Sequence, residues 1–555
     1  MTTSFKRIQI LTDLLKQHGI KNIVFSPGSR NAPLVLAFRN DSFFNTKVVV
    51  DERSAAFVAL GMSQQLKKPV IICCTSGSAT LNYSPAICEA YYQKIPLLIL
   101  TADRPPEWIN QGEGQSINQN AIYNNYIGGS FQFPVDENPD TLWQSGRITN
   151  EAVNLCKSSS LPVHINLPFR EPLYNTSKNS ISRKKIHLTN THTTIAEDQW
   201  KEIITKWNSH SKKLIICGQN QKSQKLNKII NEISKDENTI VLTETTSNLK
   251  GDHFINCIDR TLERIYGKAE FIPELIISFG GAIISKKIKT LFRNYNPFEH
   301  WSISNSNNSM DVFTSLTRII PVSEELFFEA LLKKISISNT GNYKKIWLDE
   351  YAISEKNHEK FLQNAPWSDL KAHELISNEI PEHTNIQLGN STSVRYVQLF
   401  NCKPNLNFYG NRGVSGIDGS TSTALGAAII SEQNMLLITG DLSFVYDNNA
   451  LWNNHVPKNL KIIVINNNGG DIFNIIPGPS DSEFCDENFV SNNPSSIELL
   501  VKAHNVNYLK ASSEAQTKQM LPLLFNSKEA AVLEINTSTC KNSDILSSYF
   551  KEVKR

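Results

Sequence analysis

One pattern restricts the fold of this chain more than any other: short apolar runs end in polar clusters and pass into amphipathic helical stretches. Ile20–Phe25 ends in Ser26-Pro27-Gly28-Ser29-Arg30. Lys47–Val50 is followed by Asp51-Glu52-Arg53 and a predicted helix over Ser54–Gln65. Val70–Cys74 ends in Thr75-Ser76-Gly77-Ser78, and Pro96–Leu100 in Thr101-Ala102-Asp103-Arg104-Pro105-Pro106. Strand–turn–helix repetition of this kind predicts parallel sheets covered by helices on both faces. In such sheets ligands bind beyond the carboxyl ends of the strands, where all four polar clusters are expected to lie.

The same alternation continues after Pro162–Leu167 and a polar, linker-like stretch from Tyr174 to Thr194. A second unit has expected strands at Lys213–Cys217, Thr239–Thr243, Glu274–Phe279 and His300–Ser304. A third unit includes Ile386–Leu388, Met435–Thr439, Lys461–Ile465 and Ala531–Ile535. The expected fold class is therefore α/β, with three doubly wound parallel-sheet domains over residues 1–180, 195–340 and 346–555, a division that suits 555 residues. Whether the first and third units are structural copies is not legible at this level. A net charge of +3, from 56 basic and 53 acidic residues, argues against nucleic acid or a membrane surface as a partner. No apolar run approaches the roughly 20 residues that cross a bilayer. Nine scattered cysteines without a C-x-x-C pair, behind a start that lacks a signal-peptide core, lead to the expectation of a soluble cytoplasmic protein with reduced thiols.

The most specific local pattern is Gly440-Asp441-Leu442-Ser443-Phe444 after one strand, with Asn466-Asn467-Asn468-Gly469-Gly470 after the next. The 26 residues from Asp441 to Asn467 span one strand–helix–strand crossover, so adjacent parallel strands would bring the two together. A diphosphate calls for a hard divalent cation with oxygen ligands. Asp441 offers a carboxylate, Asn467 an amide oxygen and Gly469 a main-chain carbonyl. The N–H groups of Leu442 and Ser443, at a helix start, suit phosphate oxygens. By itself Gly-Asp after a strand usually marks a turn or a cap, and Glu52 by itself is an acid at a helix N-terminus.

The paired segments resemble the thiamine-diphosphate motif, with Leu442 where that motif usually has Gly. That resemblance implies bound thiamine diphosphate with Mg²⁺ or Mn²⁺, and makes Glu52 the activating carboxylate beside the aminopyrimidine ring. More narrowly, several segments resemble the 2-succinyl-5-enolpyruvyl-6-hydroxy-3-cyclohexene-1-carboxylate synthase family of menaquinone biosynthesis. They are Ser26–Leu34, Asp51–Ala55, Thr75–Ser78, Thr101–Glu107, Gly389-Asn390-Ser391 with Arg395, and Asn411–Gly419. The first and third units carry the resemblance in order; the middle unit is only loosely similar.

The resemblance implies a C–C bond-forming transferase that decarboxylates 2-oxoglutarate and adds the resulting carbanion to isochorismate. Arg30, Arg104, Arg395 and Arg412 would bind substrate carboxylates through the planar guanidinium fork. Ser29 and Gln115 match further polar contacts, although Gly114 stands where the family often has Asn. Lys286 and Lys287 match a middle-domain Lys-Arg pair and otherwise read as a solvated helix face. Ile417 matches the bulky residue beneath the bent cofactor, and Ser391, Ile472 and Phe473 match cofactor-binding segments. Because the superfamily holds one cofactor between two subunits, a homodimer or homotetramer is expected, with Glu52 of one chain facing Asp441 and Asn467 of another. The competing readings are another thiamine-diphosphate 2-oxoacid decarboxylase, an acetolactate-synthase-like enzyme, and a non-catalytic binding protein of the same fold. A Rossmann dinucleotide enzyme is disfavoured, since no G-x-G-x-x-G follows the first strand of any unit.

Overall fold

Runs rich in Val, Ile and Leu bury both faces only between layers of helices, and among the described residues they assemble three six-stranded sheets in which every neighbouring pair is parallel. The computed structural model describes residues 1–189, 191, 193–295, 297–305, 310–476 and 478–555, so positions 190 and 192 of the expected linker lie outside the described residues.

The first sheet contains β1 (Asn22–Phe25), β2 (Asn45–Val48), β3 (Val70–Cys74), β4 (Leu97–Asp103), β5 (Gly129–Gln132) and β6 (Val163–Pro168), ordered β2-β1-β3-β4-β6-β5. The second contains β7 (Lys213–Cys217), β8 (Thr239–Thr243), β9 (Phe254–Ile255), β10 (Leu275–Phe279), β11 (Glu299–Ile303) and β12 (Arg318–Ile320), ordered β9-β8-β7-β10-β11-β12. The third contains β13 (Asn385–Leu388), β14 (Asn407–Gly410), β15 (Met435–Gly440), β16 (Leu460–Asn466), β17 (Asn507–Ala511) and β18 (Ala531–Asn536), ordered β14-β13-β15-β16-β18-β17. The first and third sheets share one connectivity; the middle sheet has another. The first and third units are thus topological copies, a relation that residue patterns did not reveal.

The strands without a recognisable apolar run, β5, β9, β12, β14 and β17, are all edge strands. An edge strand is short and covered on fewer sides, so its sequence carries little of the signal that marks a central strand.

Five helices carry or brace the residues singled out above: α1 (Glu52–Leu66), α2 (Ser84–Gln93), α3 (Lys286–Tyr295), α4 (Ser420–Ile430) and α5 (Asp441–Tyr446). Helix α1 of the first unit packs along α4 of the third, and one apolar core runs through both units, from Val24 and Phe57 to Leu437 and Val464. Glycines allow the close approach. A Cβ on Gly61 would lie 2.0 Å from the Thr423 carbonyl oxygen, and one on Gly426 1.9 Å from that of Val58. In an exposed helix Gly→Ala gains about 1 kcal/mol. At Gly426 the sign reverses, because overpacking costs about 1–3 kcal/mol or more. Gly426→Ala is therefore expected to lower the thermal midpoint measured at fixed scan rate; an unchanged or raised midpoint would refute the close-packing account. Among the described residues no helix is long and apolar enough to cross a membrane.

Candidate functional site

Strands β15 and β16 are neighbours, with Gly440 opposite Ile465, so Asp441 and Asn467 emerge together past the carboxyl edge of the sheet. Asp441 begins α5 and is buried. Its carboxylate accepts a long 3.4 Å bond from Asn493 Nδ2, and the nearby N–H groups of Leu442 and Gly469 favour its charged form. No cationic side chain pairs with it among the described residues, and burial pushes its pKa up to about 6. Asn467 donates through Nδ2 to Asp369 Oδ2 at 2.8 Å, which turns its amide oxygen away from Asp369. Asp369 is fully buried and also accepts Thr537 Oγ1 at 2.5 Å. Gly469 has φ +143°, and a Cβ there would lie 2.9 Å from the Val490 carbonyl oxygen. A buried carboxylate without a counter-charge, an oriented amide oxygen and a glycine carbonyl form a hard, all-oxygen donor set that fits Mg²⁺ shared with a diphosphate. Among the described residues no group of three or more His, Cys, Asp or Glu could hold a metal ion.

The loop from β14 to α4 passes beside this edge. Ser443 Oγ donates to the Ile417 carbonyl at 3.0 Å, and Asn390 Nδ2 to the carbonyls of Asn411 and Gly416 at 2.8 and 2.7 Å. Ile417 stays partly exposed, as a side chain presented to a ligand would be. Ser391 sits next to Asn390 with φ +71°. Ile472 and Phe473 lie on the short turn Asp471–Asn474 beyond β16.

Glu52 occupies the first turn of α1, which begins two residues earlier than the helix predicted from Ser54. Its cap, Asp51, accepts the Ser54 N–H at 3.1 Å and Asn449 Nδ2 at 2.7 Å, which ties the first unit to the third. Half-burial holds the Glu52 carboxyl above its ordinary range, and the Asp51 charge adds to this; its own N–H and Asn82 work against it. Arg53 lies 4.5 Å over the Tyr446 ring and donates to the Tyr446 carbonyl at 2.7 Å. Val48 and Val50, just before Glu52 in the chain, Leu81, next to the Asn82 that bonds Glu52, and Tyr446, beneath Arg53, are all exposed.

The predicted substrate residues fall into two groups. Arg30 donates to Glu171 at 3.2 Å and Arg104 to Ser76 Oγ at 3.1 Å. Burial first, and then the neighbouring Arg104, lowers the Arg30 pKa. Ser29 and Gln115 are exposed beside them, with the Gln115 backbone 3.0 Å from where a Gly77 Cβ would stand. The second group joins the third unit to the middle one. Arg412 is buried, donates to Asn390 Oδ1 at 2.6 Å and keeps an unbonded Nε. Arg395 donates to the Ser391 carbonyl. Burial lowers the pKa of both arginines; their mutual repulsion adds to it at Arg412. Both sense Glu244, which accepts the N–H groups of Ile284 and Ser285 at 2.7 and 2.6 Å and is pushed up to about 7 by burial.

The structure does not bring Lys286 and Lys287 into this group equally. Lys286 is exposed, while Lys287 is engaged by Glu263 and stands 3.4 Å over the Phe550 ring. Lys289, not singled out in the sequence, is close enough to Glu244, Arg412, Arg293 and Arg395 to sense their charges, and burial first lowers its pKa. Asp369 was missed as well, because an acid 98 residues before Asn467 announces nothing in sequence.

Comparison with known proteins places the first and third units in one family. Residues 6–122 match the family model "Thiamine pyrophosphate enzyme, N-terminal TPP binding domain", and residues 389–535 match its C-terminal counterpart. The 2-succinyl-5-enolpyruvyl-6-hydroxy-3-cyclohexene-1-carboxylate synthase of Flavobacterium psychrophilum is 40% identical over 549 residues, covering 98% of both chains. That of Flavobacterium johnsoniae is 40% identical over 551 residues at the same coverage. Among solved structures, benzoylformate decarboxylase from Polynucleobacter necessarius aligns with TM-score 0.69 at 17% identity, covering 97% of this chain and 99% of that one, a likeness of fold.

Proposed function

This chain belongs to the 2-succinyl-5-enolpyruvyl-6-hydroxy-3-cyclohexene-1-carboxylate synthase family, and from that premise we propose how its residues divide the reaction. The chain is a thiamine-diphosphate-dependent transferase of menaquinone biosynthesis that decarboxylates 2-oxoglutarate and joins the remainder to isochorismate. Bound thiamine diphosphate supplies a nucleophilic carbon and an electron sink. Asp441, Asn467 and the Gly469 carbonyl would hold the divalent ion, Mg²⁺ or Mn²⁺, and the N–H groups of Leu442 and Ser443 the diphosphate. Ser391, Ile417, Ile472 and Phe473 would line the cofactor. Glu52 would bond the aminopyrimidine nitrogen and hold the proton there. Arg30, Arg104, Arg395 and Arg412, with Ser29 and Gln115, would pair with substrate carboxylates. In the middle unit Lys289 suits that task better than Lys286 or Lys287.

The observation that carries the metal-and-cofactor assignment is the buried, uncompensated Asp441 carboxylate beside an Asn467 amide oriented by Asp369. The decisive assay supplies the purified protein with thiamine diphosphate, Mg²⁺ and 2-oxoglutarate, with and without isochorismate. Consumption of isochorismate is expected; decarboxylation that never consumes it would return the chain to the 2-oxoacid decarboxylases.

The working unit in this reading is at least a homodimer, in which Glu52 of one chain faces Asp441 and Asn467 of the other. A half-buried catalytic acid with exposed Val48, Val50, Leu81 and Tyr446 nearby supports a covering partner. Sedimentation of the active protein as a monomer would contradict it. Nine free cysteines support placement in the reducing cytoplasm.

A further inference from the structure

The loop that carries Arg412 and Ile417 belongs to the third unit, yet a carboxylate of the first unit holds it. Glu89 lies on α2, buried. It accepts the N–H of Gly413 at 2.6 Å, of Val414 at 2.7 Å and of Ser415 at 3.4 Å. Gln93 Nε2 adds a fourth donor at 2.6 Å. Three successive main-chain N–H groups converging on one anion form a nest, here closed by Ser415 at φ +68°. A carboxylate without a cation is stable in the interior only when such donors satisfy its lone pairs. Burial pushes the Glu89 pKa up, and the four donors oppose it.

Two further features show that the loop has one tolerated seat. A Cβ on Gly413 would lie 2.7 Å from the Glu89 carbonyl oxygen, and one on Gly419 would enter the Phe57 ring at 2.3 Å. Beneath the loop a cavity of about 160 Å³, lined by Phe57, Cys88, Glu89, Val414 and Asp418 among others, leaves room for movement if the clamp is released.

We propose that Glu89 is a positioning residue that clamps the Gly413–Ser415 turn across the domain boundary and thereby sets the Arg412 guanidinium and Ile417 for the reaction. This rests on the substrate and cofactor roles assigned above to those two residues. A Gln at 89 presents one carbonyl oxygen where two carboxylate oxygens now accept, and turns an NH₂ group toward N–H donors.

The test uses the full-length enzyme with thiamine diphosphate and Mg²⁺, comparing wild type, Glu89→Gln and Gly413→Ala. The second variant displaces the loop while leaving the charge in place. Hydrogen exchange reads the loop directly: amides 413–415 are expected to exchange at least about tenfold faster in Glu89→Gln, with exchange in β15 and β16 unchanged. Steady-state kinetics are expected to show kcat/KM for isochorismate falling up to about 10²-fold in both variants, the scale of a misplaced binding group. Protected loop amides, or faster exchange with kinetics within twofold of wild type, would overturn the proposal. If Glu89→Gln does not fold, Gly413→Ala decides by the same two readouts. Failure of the functional assignment would appear elsewhere, as a wild-type enzyme that does not consume isochorismate.

Discussion

Glu52→Gln is expected to reduce kcat by on the order of 10²–10⁴-fold, the range for loss of a positioned acid–base group, while the protein folds and binds its cofactor. The amide keeps the size and the hydrogen-bonding reach of the carboxyl but cannot carry the proton at the aminopyrimidine nitrogen. Little else should change. Glu52 lies in the first turn of α1, where loss of a favourable charge–dipole contact costs about 0.3–1 kcal/mol. Removing the carboxyl also removes the penalty of half-burying its charge beside Asp51. The thermal midpoint should therefore stay close to that of wild type. Turnover within tenfold of wild type would remove Glu52 from the mechanism.

Asp441→Asn is expected to act at the other end of the cofactor, with opposite effects on binding and on the apo fold. Divalent-ion affinity in the presence of thiamine diphosphate, measured by calorimetric titration, should fall by more than the 10–100-fold typical of losing an outer-shell partner. The residue is the one carboxylate of the proposed donor set. The apo protein should not lose stability, because the variant removes a buried charge that no cation compensates among the described residues. A large drop in apo stability with metal affinity retained would mean that Asp441 serves the fold and leaves the metal to other groups.

Much of this candidate site is legible in the sequence, for a definite reason. Asp441 and Asn467 follow two consecutive central strands, whose apolar runs are unmistakable, and parallel crossover geometry forces their carboxyl ends together. Glu52 and the turns bearing Arg30 and Arg104 likewise follow strands of the first sheet, so their placement follows from strand recognition and their chemistry from resemblance, whereas Arg412 follows the unrecognised β14 and rests on resemblance alone. Edge strands such as β14 and β17 escaped because their apolar residues are few and interrupted by Asn, Gly or Lys, so no continuous run marks them. Asp369, Lys289 and Glu89 escaped because each acts across a long sequence separation: Glu89 reaches Val414 over 325 residues. No local pattern encodes such a contact.

Sequence by itself determined the layer architecture, the ligand edge of each sheet and the chemical kind of the donors, since these follow from periodicity and from residue type at strand ends. Tertiary structure alone decided which units are copies, how closely α1 and α4 approach through Gly61 and Gly426, and which side chains orient the donors. Those depend on strand order, on the space left by an absent Cβ, and on hydrogen bonds between distant segments. None of these exists until the chain has packed.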